Sequence, residues 1–198
     1  MRKVLQQEKR QMREEKILLR LDEMNFATRE QLQSVEDLGG ERNAQRILQR
    51  MEKSKLINSI RYESKIYYLS NKGKERVGSN QSKLKRDRIK HTLMRNDLYI
   101  SLGQPKDWKK EYPINFNEDT LIPDAIYTEN NVFHFVEIDN VQTMRTNYEK
   151  IKRYKELSGM IEKQYRHTPV LVWFCLSETR KEKLKRACEK HRVNYKIY

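Results

Sequence analysis

The chain has 198 residues, enough for one large domain or two small ones. It is 36% hydrophobic and 35% charged, and 42 basic against 28 acidic residues give a net charge of +14. No apolar run reaches the ~20 residues of a membrane span, residues 1–16 hold no apolar signal core, and the cationic excess favours a polyanion, whose counterions are released as phosphates are neutralised.

The charge is uneven: residues 1–90 carry a net +10 and residues 91–198 a net +4. An anionic membrane surface would attract the same charge, but its concentration in the first half predicts nucleic-acid binding there. Cys175 and Cys188 lack CxxC spacing and read as buried, reduced side chains of a cytoplasmic protein. Four scattered histidines give no zinc spacing. The six glycines form no phosphate loop, which argues against an ATPase.

In chain order, Ile17, Leu18, Leu21 and Met24 recur at helical spacing and mark an amphipathic first helix. Thr28 is placed to cap a short second helix that turns Leu32 and Val35 inward. Gly39-Gly40 then breaks the chain. A third helix has Ala44, Ile47, Leu48 and Met51 as its apolar stripe, and Arg42, Arg46, Gln49 and Lys53 on the opposite face, with Arg50 beside them. Arginine donates two hydrogen bonds to guanine and glutamine pairs with adenine. This face therefore predicts a recognition helix, with a merely solvated face as the alternative.

Next comes a predicted hairpin, with strands at 58–62 and 65–69 and Glu63-Ser64 at the turn. Arg61 and Lys65 flank that turn, where a wing would meet phosphate or the minor groove. Ser70 is placed to cap a closing helix that runs through Val77. Three helices, a hairpin and a closing helix is the order of a winged helix-turn-helix. The segment YYLSNKGKERV resembles the strand-to-helix junction of many winged-helix regulators. Residues 1–80 are assigned to this domain.

Residues 79–82 are a polar interruption, and the spacing beyond predicts a connecting helix over 81–102, beginning at about Ser82. Lys83, Lys85, Arg86, Arg88 and Lys90 in its first half would grip phosphates or face solvent. Leu93, Leu98, Ile100 and Leu102 in its second half are expected to pack into the following domain, residues 103–198. There, strands are predicted at 108–114, 121–127 and 132–138. A helix follows with Met144, Tyr148, Ile151 and Tyr154 on one side. The apolar run VLVWFCL suits a strand buried on both faces. Thr179 is placed to cap a helix ending near His191, and residues 195–198 suit an edge strand. The fold class is α/β, with α+β character over the whole chain.

Asp124 lies on the second of those strands, and Glu137 and Asp139 share one face at the end of the third. If the two strands form a hairpin, the three carboxylates come together and repel, unless a divalent cation, a lysine or a proton compensates them. Oxygen-rich clusters of this kind hold Mg²⁺ or Mn²⁺, which can activate water for phosphodiester hydrolysis.

Pro123-Asp124, then Glu137-x-Asp139, then a helix carrying Lys150, resembles the core of PD-(D/E)xK nucleases. Over nearly its full length the chain, with PDAIY, HFVEIDN and a KIKRY helix behind the N-terminal domain, resembles the replication-relaxation family of plasmid and mobile-element proteins. The resemblance implies a cytoplasmic double-stranded DNA-binding protein acting in replication, mobilisation or transcriptional regulation of a plasmid, phage or integrative element. A homodimer is expected, since one winged helix reads only a short half-site, and no cofactor is required for DNA binding.

One position departs from the nuclease pattern: Asp139 stands where a lysine usually helps to activate the attacking water. Lys150 or Lys152, from the following helix, would have to substitute. The departure favours a nuclease-like domain without cleavage activity. One alternative is a Mg²⁺- or Mn²⁺-dependent endonuclease or nickase using Asp124, Glu137, Asp139 and Lys150, with metal held by Asp124 and Glu137. Another is an adaptor that recruits a replication initiator or a relaxase.

Overall fold

Helix α1 (Arg2–Met24) forms on its apolar spacing: Ile17, Leu18, Leu21 and Met24 are all buried. A computed structural model describes residues 2–83, 85–140 and 142–198, in two compact units, 1–100 and 101–198. After α1 the chain turns at Asn25, in the left-handed region (φ 67°), into a short strand β1 (Ala27–Thr28) and helix α2 (Arg29–Val35). Thr28 Oγ1 accepts from Gln31 N at 3.1 Å, and Gln31 Oε1 accepts from Thr28 N at 3.2 Å. This reciprocal capping box satisfies two backbone donors that a helix start leaves open.

Gly39 takes a positive φ of 66° and Gly40 is the N-cap residue of α3 (Glu41–Lys53). The expected stripe of Ala44, Ile47, Leu48 and Met51 is the buried side of α3. Strands β2 (Ile57–Arg61) and β3 (Lys65–Leu69) form the hairpin, with β1 on its other side in the antiparallel order β1-β3-β2. Ser70 caps α4 (Asn71–Val77), its Oγ accepting from Gly73 N at 2.9 Å and donating to Lys55 O at 2.6 Å. Gly73 is required here: a Cβ would stand 2.1 Å from the Leu56 carbonyl oxygen.

The segment that follows differs from expectation. Residues 82, 83 and 85 are irregular, Leu84 lies outside the described residues, Arg86–Arg88 forms one 3-10 turn, and α5 spans only Ile89–Ser101. Nor does α5 act as a connector, because it is built into the first unit. Ile89 is buried against Phe26 and Ile66. Asn96 Nδ2 donates to the carbonyls of Met24 (3.2 Å) and Phe26 (2.7 Å) at the end of α1. Gln31 Nε2 donates to Leu93 O and Asp97 Oδ1. Carbonyls at a helix C-terminus lack intrahelical donors, and Asn96 supplies them. The break between units therefore falls at residue 100 rather than 80.

In the second unit a five-stranded sheet has the order β10-β9-β8-β7-β4. Its strands are β4 (Lys109–Lys110), β7 (Ala125–Glu129), β8 (Val132–Asp139), β9 (Val170–Cys175) and β10 (Tyr195–Ile197). β7 runs antiparallel to β4 and β8, whereas β9 is parallel to β8 and β10. Crossovers α6 (Met144–Tyr165) and α7 (Glu178–His191) link the parallel strands, as parallel pairing demands. Trp173 on β9 is fully buried among Ile151, Leu157 and Leu184.

Two expected strands are interrupted. Glu111 has a positive φ of 46° and Pro113 lacks a donor, so the 108–114 segment keeps only β4. Residues 114–121 instead form a separate hairpin, β5 (Ile114–Phe116) and β6 (Asp119–Leu121). Pro123 likewise separates β6 from β7. The cap of α7 also moves: Ser177, not Thr179, is its N-cap residue.

Candidate nucleic-acid interface and carboxylate site

On α3, Arg42, Arg46, Gln49 and Lys53 are all exposed, opposite the buried stripe. Arg46 Nη2 donates to Asn43 Oδ1 at 2.8 Å, which orients the guanidinium along the helix. Among the described residues Arg42, Arg46 and Lys53 have no acidic partner, so their charge is uncompensated. Arg50 is turned away. It is half-buried, with Nε 3.9 Å from Glu14 Oε1 of α1, and burial together with Arg10 and Arg46 pulls its pKa below the usual arginine value.

At the hairpin tip Arg61 pairs across from Lys65 and is exposed. Lys65 is engaged: its Nζ lies 2.7 Å from Glu52 Oε2, and Ser59 Oγ donates to Glu52 Oε1 at 2.5 Å. Burial opposes ionisation of Glu52, but these two partners hold its pKa below the ordinary value. The cluster ties the hairpin to the last turn of α3, so Lys65 anchors the wing rather than reaching outward. Lys83, Lys85 and Arg86 are exposed on the irregular segment and the 3-10 turn before α5.

In the second unit β7 and β8 do form a hairpin, with Ala125 opposite Val136. Asp124 sits just before β7, where its N donates to Val136 O at 2.9 Å and its Oδ2 accepts from Ile138 N at 2.7 Å. That brings Asp124 beside Glu137. Glu137 is 1% exposed; its Oε2 is 2.5 Å from Lys150 Nζ and its Oε1 accepts from Tyr154 OH at 2.7 Å. Burial, then the neighbouring Asp124 charge, pushes Glu137 up to about 7 in spite of Lys150 and Tyr154.

Asp139 points the same way from β8 but joins a different set of partners. Arg180 of α7 grips it with two hydrogen bonds, Nε to Oδ2 and Nη2 to Oδ1, both 2.6 Å. Asn147 Nδ2 adds a bond to Oδ1 at 2.8 Å. Burial works against the Asp139 charge, yet Arg180 and Asn147 keep its pKa below the ordinary value. Lys152 lies elsewhere, on Glu149 at 2.9 Å.

The structure thus gathers Asp124, Glu137 and Lys150 and leaves Asp139 outside. Repulsion among the carboxylates is relieved by Lys150 for one acid and Arg180 for another. Both Glu137 oxygens and one Asp124 oxygen are engaged by protein donors, and no described group of three or more acids, histidines or cysteines is arranged to hold a metal. As arranged, this donor set does not fit a divalent ion. Tyr154, on the side of the helix that the sequence marks with Met144 and Ile151, is buried in the core as well as bonded to Glu137. Its position four residues after Lys150, on the same helix face, was the signal that it shares Lys150's target. Nothing in the sequence linked Arg180 to Asp139.

The family model described as Replication-relaxation matches residues 18–171. Comparison with curated proteins gives no match. A structure of Can2 from Sulfobacillus thermosulfidooxidans in complex with cyclic tetra-adenylate is similar at 13% identity and a TM-score of 0.35, over 95% of this chain and 48% of that one. The chain thus spans about half the length of that protein. No described helix is long and apolar enough to cross a membrane.

Proposed function

Because the chain belongs to the Replication-relaxation family, we propose that it is a double-stranded DNA-binding protein of a plasmid, phage or integrative element, acting in that element's replication, mobilisation or transcriptional regulation. In this reading α1 to α4 and their hairpin are a winged helix-turn-helix, and the second unit is a PD-(D/E)xK nuclease-like domain retained without cleavage activity. One observation carries the DNA reading: three cations, Arg42, Arg46 and Lys53, lie exposed on the outer face of α3 with no acidic partner among the described residues. With Gln49 among them, α3 enters the major groove, Arg46 and Gln49 reading base edges and Arg42 and Lys53 holding phosphate. Arg61 meets the backbone from the wing, and Lys83, Lys85 and Arg86 extend the phosphate contacts. A homodimer reads paired half-sites.

The second unit, with its acids compensated by Lys150 and Arg180, serves as a scaffold or as the surface that recruits a replication initiator or relaxase. The test is a fluorescence-anisotropy titration of duplex DNA across a salt series. Log affinity should fall linearly with log salt, by about 0.9 per phosphate neutralised. The triple variant R42A/R46A/K53A should flatten that slope by about two units, one for each lost phosphate contact of Arg42 and Lys53. A slope unchanged by the triple variant would remove α3 as the DNA-contacting element.

A further inference from the structure

Helix α1 extends well beyond the core it serves. Among its described side chains the first buried one is Glu14, while residues 4–13 are exposed all round. These ten residues extend a helix nucleated by its packed half, and near-neutral propagation alone holds them only weakly in water. Along the outer side run Leu5, Met12 and Leu19, 52%, 62% and 46% exposed. Seven-residue spacing aligns them to within about 20° per repeat, and at about 100° per residue the line lies opposite the side bearing Glu14, Leu18 and Leu21. Glu8 and Glu15 flank the line on one side, about 60° away, and Lys9 and Lys16 flank it on the other, about 40° away. All four are exposed and have no ionic partner among the described residues.

We infer that this line is the seam of a parallel, two-fold homodimer, its occupant being a second copy of the chain. In a parallel pair the seam meets itself in register, and the left flank of one helix faces the right flank of the other. Glu8 and Glu15 then face the partner's Lys9 and the partner's Lys16, and the converse holds by symmetry. An antiparallel pair would set acid against acid and base against base. The charge pattern therefore selects one orientation, and the unsupported half of α1 gains the packing it lacks. With one apolar residue per repeat instead of two, the seam is weak and sensitive to its flanking charges.

The inference deepens the homodimer part of the proposed function and is measured without DNA, so its failure leaves the DNA reading standing, and the reverse. Sedimentation equilibrium of the full chain at about 50 µM and modest salt, where exposed ion pairs are least screened, should show a dimer. Met12→Glu should give a monomer that still melts cooperatively, since Met12 lies outside the core, but at a lower temperature that no longer depends on protein concentration. K9E/K16E and E8K/E15K should each be monomeric alone and recover a dimer when mixed. Leu5→Cys should cross-link to itself on mild oxidation, as only the parallel register brings the two copies of position 5 together. A monomeric wild type, a dimer untouched by Met12→Glu, or a mixture that stays monomeric would overturn the inference.

Discussion

Gly73 shows how a single residue can be fixed by its neighbour's backbone. Its Cα hydrogen faces the Leu56 carbonyl, where a Cβ would stand at 2.1 Å. Gly73→Ala must therefore push α4 off the α3–β2 turn, at a cost of about 1–3 kcal/mol typical of overpacking, read as a lower urea midpoint at unchanged m-value. The opposite expectation, stabilisation from a better helix former, would hold only if α4 were free of that turn.

Glu137 is the other residue whose environment makes a sharp prediction. Its folded pKa of about 7 stands above the ordinary 4.5, so the folded state holds the proton more tightly than the unfolded one. That contribution is complete below the unfolded value and is lost as pH rises through about 7. Glu137→Gln abolishes the dependence. Relative to wild type, the variant should gain stability between pH 4.5 and 7, by up to roughly 3 kcal/mol. Parallel stability profiles for the two proteins would show that Glu137 ionises freely.

At the scale of elements, the β8–α7 contact rests on Arg180 and Asp139, with the Asp139 side chain fully buried and Arg180 29% exposed. Removing the arginine strands a buried carboxylate. Arg180→Met should cost roughly 2–4 kcal/mol, below the range for fully buried pairs because Arg180 is partly hydrated, and D139N/R180M should recover part of it. Equal losses in the single and double variants would mean the pair is incidental.

Elements whose burial follows local periodicity were legible from residue types alone. The inward faces of α1, α2 and α3, the capping role of Thr28 and Ser70, and the doubly buried β9 all agree with the sequence reading. Strand ends were not, because Pro113 and Pro123 cut segments whose apolar content alone runs through them. The fate of α5 was also hidden. Its apolar residues announce a helix that buries one side, but the partner is Phe26 and Ile66, more than twenty positions away, and periodicity carries no address. The candidate site divides in the same way. The closeness of Asp124 to Glu137 follows from a hairpin, and Lys150 from a helix next in sequence. Arg180, forty-one residues beyond Asp139, reaches it only through the parallel crossover.

For the whole molecule, the division at residue 100 makes the first unit a candidate for independent folding. A fragment of residues 1–100 retains Ile89 on Phe26 and Ile66 and the Asn96 bonds to the end of α1. It should melt cooperatively, whereas a fragment of residues 1–80 exposes that patch and should melt earlier or not cooperatively. The same molecule should fail to nick supercoiled plasmid with Mg²⁺ or Mn²⁺, because Lys150, Tyr154 and the Ile138 amide already engage the donor oxygens. Metal-dependent nicking abolished by Glu137→Ala would reverse that conclusion.

In the proposed function everything turns on α3 presenting its cationic face to a duplex. The most direct measurement is the salt dependence of duplex binding by the full chain, compared between wild type and Arg46→Ala on DNA carrying the preferred site. Arg46→Ala should lose about 1–3 kcal/mol in specific affinity, with nonspecific binding reduced far less. Equal affinity of the two proteins for that site at every salt concentration would contradict that role of α3.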